Sequence, residues 1–369
     1  MAARHRRDRS TDGGYGRRTF LKMTGAVAAA ATAGAVIPAS TAAQSPEYGP
    51  SETVNLGEVG LSDGDQIDPY LSEYFRSGVE VRVPAGTYRW GGGGLGAARR
   101  NAGLIGERDG AVVLETSSGR YRDTIRAAGG ELRIGNLTVH GAVRRSRIRV
   151  ETDASGRILI GNWHFPDGSQ TNDRSRAFYA PRAHAGEIEF RGCYVHGFSD
   201  NGIYASSPGF NDARGGRIVV DRCFAHNNNI AGIRVGSDNS VVRNCTVMND
   251  ARSPRAPTGR NQRGIWVRTG GDGVRIENCE VIHLYEGAGI PINFGRHGRN
   301  GSGTIEDVRV YNNTGAVAIN APRAWSGEDV HVEGDGNLRV PSGFDTCGNG
   351  CDHSFSQNHG RSDVLAWHR

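Results

Sequence analysis

Four phrases of the chain place apolar residues at alternate positions around a cysteine: IEFRGCYVHG (188–197), IVVDRCFAHN (218–227), VVRNCTVMND (241–250) and VRIENCEVIH (274–283). Aligned on Cys193, Cys223, Cys245 and Cys279, they form a column that Leu137, Trp163 and Val308 extend. Two residues later Val139, Phe165, Val195, Ala225, Val247, Val281 and Val310 form a second column. A period of two is the strand pattern, with one face inward and one outward. A shorter strand follows in GIYAS, GIRVG, GIWVR, GIPIN and AVAIN, whose inward residues are expected to be Ile203, Ile233, Ile265, Ile290 and Val317.

A unit of this kind, repeated about every 30 residues, cannot bury its apolar face alone; stacked units share one continuous core, which is the logic of a solenoid. Composition agrees. The chain has 55 glycines in 369 residues, and each glycine inside a helix would cost about 1 kcal/mol, so short strands and turns are expected. The cysteine column then has two readings. It is a ladder of small buried hydrophobes, or, stacked about 4.8 Å apart, it is a set of cross-coil disulfides.

Asn136, Asn162, Asn244 and Asn278 precede the cysteine column, where the chain must turn between two strands. The phrase x-I-x-N-C-x-V-x-N-N-x-x-x-G-I-x-V resembles right-handed parallel β-helix proteins of the pectate-lyase-like type, over about residues 131–321. The resemblance implies an all-β fold, a right-handed parallel β-helix solenoid with an N-terminal helical cap, and an inward asparagine ladder. The stretch from about 53 to 90 is similar to that cap: Asp68 is expected to cap a short helix opened by Pro69, with Leu71, Tyr74 and Phe75 on its apolar face, and VEVRVPAGTY follows.

The N-terminus reads as an export signal over residues 1–43, leaving 44–369 as one domain with a tail from 340. Arg17-Arg18-Thr19-Phe20-Leu21-Lys22 precedes an alanine-rich apolar run and resembles the twin-arginine signal. It implies the twin-arginine export machinery as a partner and a secreted or cell-surface location, with no membrane span in the mature form. The net charge of +5 is carried by this segment: residues 1–44 hold six Arg, the only Lys and two Asp, leaving 37 basic and 37 acidic residues. A neutral body gives no charge argument for nucleic acid as a partner. The signal and the near absence of Lys also resemble haloarchaeal secreted proteins, although the neutral body departs from their acidic surfaces. In the tail, Cys347 and Cys351 flank Gly-Asn-Gly; export favours a disulfide, with zinc as the rival.

Inward residues of a solenoid are core, so chemistry must come from outward columns and turns. The outward residues of the shorter strands are expected to be Tyr204, Arg234, Trp266 and Pro291, with Arg268 and Asn293 one step on. His196, His226 and Tyr311 end the preceding strands in an outward row, and Asp250 and Glu286 lie in the turns leading into this sheet, so one long face is expected to carry Arg, His, Tyr, Trp and a few carboxylates, with His226, Arg234 and Trp266 on the same side. His226, Arg234, Arg268, Asp250 and Glu286 are the catalytic candidates; Tyr204, Trp266, His196 and Asn293 are the substrate-binding candidates. The Arg-rich insert ARSPRAPTGRNQR (251–263) is either a flexible loop or a clamp. Polygalacturonases carry Asn-Thr-Asp, Asp-Asp, Gly-His-Gly and Arg-Ile-Lys in order; this chain has no Asp-Asp pair and no Lys beyond Lys22. The resemblance to pectate lyases implies a basic residue acting on a uronate and raises calcium as a cofactor, held by carboxylates of separate coils. Binding of an extracellular polysaccharide is therefore expected, with cleavage by lyase or glycosidase chemistry as its extension. The alternative is a non-catalytic adhesin or envelope protein. Outward substitutions such as Trp266→Ala are expected to leave stability nearly unchanged.

Overall fold

The computed structural model describes residues 48–116, 119–297, 301–335 and 337–347. All of them lie in one compact unit. The export signal, Cys351 and the tail after Cys347 lie outside the described residues. The architecture is an all-β solenoid in which every ladder between named strands is parallel. Strand alternation generates two sheets, one of 17 strands and one of ten. Pairing begins with Glu52–Asn55 against Val79–Val83 and ends with Trp325–Gly334 against Thr346–Cys347, so coils extend on both sides of the span read from the repeat.

Each coil crosses the 17-stranded sheet, bends within it, and then enters the ten-stranded sheet. The bend needs a residue in the left-handed region, which costs most L-residues about 1–2 kcal/mol and is easiest for Gly, Asn and Asp. The sequence supplies them: Asn136, Asn162, Gly192, Asn244, Asn278, Asp307 and Asp329 all have φ between 46° and 61°, with Arg222 taking the position once. This conformation turns the asparagine side chains away from the core. Asn162 Nδ2 donates to Asn136 Oδ1 at 3.1 Å, and Asn278 Nδ2 donates to Asn244 Oδ1 at 2.8 Å. The ladder therefore exists but runs on the outside, with Asn244 and Asn278 exposed. That corrects the inward placement.

The residue after each bend points inward. Cys193, Cys223, Cys245 and Cys279 are buried, unpaired thiols in one line. Each donates to a carbonyl of the preceding coil, at Ile160, Phe190, Val220 and Val242 respectively, 3.4–3.6 Å away. Burial holds the thiols of Cys193, Cys223 and Cys245 well above their usual range, so they stay protonated and inert. In the ten-stranded sheet Ile203, Ile233 and Ile265 stack as expected, but the next two positions are Ile292 and Ile319. Ile290 and Val317 are only half-buried. The turns before these strands run two residues further than the GIPIN and AVAIN phrases imply. A shift of two preserves which face points inward.

At the N-terminal end the helix Asp68–Tyr74 buries Leu71, and Phe75 follows it into the core. Asp68 does not cap this helix, because the cap position is Ile67 and Pro69 starts the first turn. The Asp68 carboxylate accepts instead from Gly91 N and Gly93 N, both at 2.8 Å, and ties the glycine loop to the helix.

Two predictions arise here. The four column thiols should resist an aromatic disulfide reagent in the native protein, and all four should react after denaturation. Reaction in the native state would contradict their burial. Burial also holds His184, His196 and His283 neutral, each pushed down to about 4. Between the unperturbed value of about 6.5 and that value, the unfolded chain binds protons that the native state refuses. The stability is therefore present near neutral pH and lost as pH falls through this window. Thermal melts at pH 7.5 and 4.5 should show a lower midpoint in acid, with part of the loss removed in His283→Gln.

Candidate functional site

The outward residues of the ten-stranded sheet form one column, read directly from strand register: Arg149, Tyr179, Tyr204, Arg234, Trp266, Asn293, Asn320 and Arg339. Asn293, rather than Pro291, stands beside Trp266, which is the same two-residue shift seen in the core. Neighbouring members are about 4.8 Å apart.

Arginine and aromatic rings interleave along this column. The Arg234 guanidinium lies 3.9 Å from the Tyr204 ring centre and 4.7 Å from that of Trp266. Its Nε donates to Ser206 Oγ at 2.8 Å, and its Nη2 donates to Tyr204 OH at 3.0 Å. Arg263 and Arg268 cover the remaining sides of Trp266, at 4.4 and 5.6 Å. Arg176 lies over both Tyr179 and Tyr204, and Arg147 lies over Tyr179. Cation–π contact of this kind contributes about 0.5–2 kcal/mol per pair and fixes each guanidinium in one plane.

Five arginines thus surround three rings, and one carboxylate stands among them. Asp200 accepts from Arg176 at 2.8 Å, and burial raises its carboxyl above the ordinary value despite that partner. Arg234 is only 5% exposed and makes no carboxylate ion pair among the described residues; its two side-chain bonds go to neutral hydroxyls. Burial pushes its guanidinium down to about 10; Tyr204 and Asp200 oppose the shift, and the neighbouring Arg268 and Arg176 add to it. Burial and Arg268 push Arg263 to about 10 as well.

His226, Asp250 and His196 form a second group, on the 17-stranded sheet. His226 Nε2 donates to Asp250 Oδ1 at 2.8 Å, and Asn227 Nδ2 donates to the same oxygen at 2.7 Å. Burial alone would raise the Asp250 carboxyl, but these bonds and the His226 charge hold it down at about 2. The His196 ring lies 4.9 Å from that of His226, tilted by 42°, and His196 donates from Nδ1 to Pro166 O. The row beyond His226 continues as Met248, Ile282 and Tyr311, so the histidines do not run the length of the face. The turn Asn227–Ile230 separates this group from Arg234. Glu286 is exposed in the turn after Val274–His283 and joins neither group.

The insert 251–263 folds back over the turns. Arg255 N donates to Thr171 Oγ1, Asn172 N donates to Arg255 O, and Asn229 Nδ2 donates to Gly259 O. Among the described residues no group of three or more His, Cys, Asp or Glu is placed to hold a metal ion, so calcium has no assigned ligands. Cys347 is disulfide-bonded. No described helix is long and apolar enough to cross a membrane.

Sequence reasoning passed over Arg147, Arg176, Arg263, Tyr179 and Asp200. The first two coils of the column lack the Gly-Ile opening, but the alternation was present in RIRVET, with Ile148 and Val150 inward, and in RAFYA, with Phe178 inward.

A model of the right-handed β-helix region matches residues 128–335. No curated protein matches the chain. Among solved structures, an alginate lyase from Paenibacillus sp. str. FPU-7 is similar at 12% identity and a TM-score of 0.41, over 80% of this chain and 97% of that one. The catalytic domain of a GH87 alpha-1,3-glucanase in complex with tetrasaccharides is similar at 13% identity and a TM-score of 0.35, over 82% and 70%.

The packing of Trp266 reverses the expectation that its removal is silent. The ring is 9% exposed and props three guanidinium groups. Trp266→Ala should cost about 3 kcal/mol in a denaturant titration. A change below about 0.5 kcal/mol would mean that the arginines stand without it.

Proposed function

The chain belongs to the right-handed β-helix family, and we propose that this member binds an acidic polysaccharide along the arginine–aromatic column of its ten-stranded sheet. Arg234 carries the reading. A buried guanidinium is costly when it has no carboxylate of its own: the nearby Asp200 is already paired with Arg176, and hydroxyl acceptors at Ser206 and Tyr204 do not neutralise the charge. A carboxylate or sulfate on a bound chain supplies the missing charge and takes the free edge of the guanidinium in a charge-assisted bond. Arg176, Arg263 and Arg268 raise the local potential along the same line, and a solenoid column provides a repeating site for a repeating polymer. Trp266, Tyr204 and Tyr179 then act by holding the arginines flat.

Cleavage is the finer claim. Arg234 and Arg263 are shifted toward neutrality, the direction a base needs to remove the proton next to a uronate carboxylate. A glycosidase needs two carboxylates facing one bond; among the described residues Asp200 stands with Arg176, whereas Glu151 lies at the far end of the column on Arg149. The lyase extension is therefore preferred to hydrolysis. The non-catalytic binder shares the same column and differs only in lacking turnover. The reading places the protein outside the cell, exported through the twin-arginine machinery on the strength of Arg17–Lys22.

Binding should be measured against a polyuronate, a sulfated glycan, a neutral glucan and single-stranded DNA at two salt concentrations, with product release followed in the same samples with and without calcium. Polyuronate or sulfated glycan should bind, more weakly at high salt. Arg234→Ala should lower the affinity at least about tenfold, the scale of one charge-assisted bond. Equal binding to neutral glucan, or preference for DNA, would overturn the reading.

A further inference from the structure

Beside Arg149, the column opens into a cavity of about 200 Å³ lined by Arg126, Arg149, Glu151, Thr152, Asp153, Ala183 and Arg214. We propose that this cavity is a specificity subsite that takes one acidic sugar residue of the chain bound along the column. The inference rests on the acidic-polysaccharide reading and adds where the chain is anchored and which residues measure its length.

The lining interleaves the two charges. Arg149 is held by Glu151, to which its Nη2 donates at 2.6 Å and its Nε at 3.1 Å. Arg126 and Arg214 have no ion-pair partner among the described residues, and both are exposed at the cavity. They supply two forks for one carboxylate or sulfate. Glu151 stands beside Arg126 in strand register, and with Asp153 it brings carboxylate oxygens among the arginines, although Asp153 already receives Ser155. Cationic donors for an anion interleaved with carboxylate acceptors for hydroxyls match a sugar acid better than a bare inorganic anion. Two acidic side chains beside the arginines also disfavour a dense polyanion such as nucleic acid, because like charges that meet across an interface are costly.

Register connects the cavity to the column. Arg149 pairs with Tyr179, Tyr179 with Tyr204, and Tyr204 with Arg234. Three steps of about 4.8 Å put Arg149 about 14 Å from Arg234. Only a chain long enough to cover that span reaches both cations. Arg214 arrives from a different part of the coil, the turn after Ser207–Gly209, where its backbone N donates to Arg182 O at 3.0 Å. It is therefore an accessory wall whose loss leaves the column unchanged.

The test is a length series. Oligogalacturonates and oligomannuronates of increasing length are titrated into the wild type, Arg214→Gln and Arg126→Gln, with melting temperatures as the control for folding. The wild type should show a step of about tenfold in affinity once the oligomer covers both Arg234 and the cavity. Each variant should lose the step, keep the wild-type affinity for the shorter oligomers and melt as the wild type does. If short oligomers bind but no step appears, or if the variants keep the step, the subsite is wrong while the column stands. If no oligomer of any length binds the wild type, the column reading falls and this one with it.

Discussion

Parallel pairing between successive coils is the constraint from which the rest of this structure follows. Each coil hydrogen-bonds to the next along its whole strand length, and it can do so only if every coil bends at the same place. The left-handed residue before the cysteine column sets that place. Asn, Asp or Gly occupies it in seven of the eight bends named above, so one local backbone preference positions two strand directions in each coil. Once the bend is fixed, the inward columns of cysteine and valine in the 17-stranded sheet have no freedom left.

The same pairing explains how a neutral body presents a cationic line. Carboxylates gather on the segment before the bend, where Arg157 spans Glu131, Glu187 and Glu189 at 2.6–3.0 Å. The outward column of the ten-stranded sheet takes arginines with few partners. Net charge averages the two and conceals both. On the first segment the ion pairs form a ladder that satisfies itself; on the ten-stranded sheet the aromatic rings satisfy the guanidinium planes and leave their charge open. That difference is why the second face, and not the first, is the proposed site.

Trp266 shows why exposure cannot be inferred from alternation. Outward in a strand means away from the solenoid core, and three arginines of the same and neighbouring coils then cover the ring. His196 behaves alike: it points outward yet is held neutral by burial and by His226. The outer surface of the coils is a second packing layer, built from long side chains whose direction the backbone sets and whose mutual contacts it does not.

The sequence by itself determined the solenoid, the inward columns of the 17-stranded sheet and the identity of the bend residue, because these depend on a period of two and on one backbone preference, both local. It also determined that Tyr204, Arg234 and Trp266 share an outward face. Only the tertiary structure decided that Asn293 joins them in place of Pro291, since turn length and not strand pattern sets the register between coils. It likewise decided that the asparagine ladder faces outward, that His226 and Asp250 lie on a different face from Arg234, and that Arg147, Arg176 and Arg263 complete the basic column. Those contacts join residues from separate coils, and no interval along the chain encodes a distance across the stack.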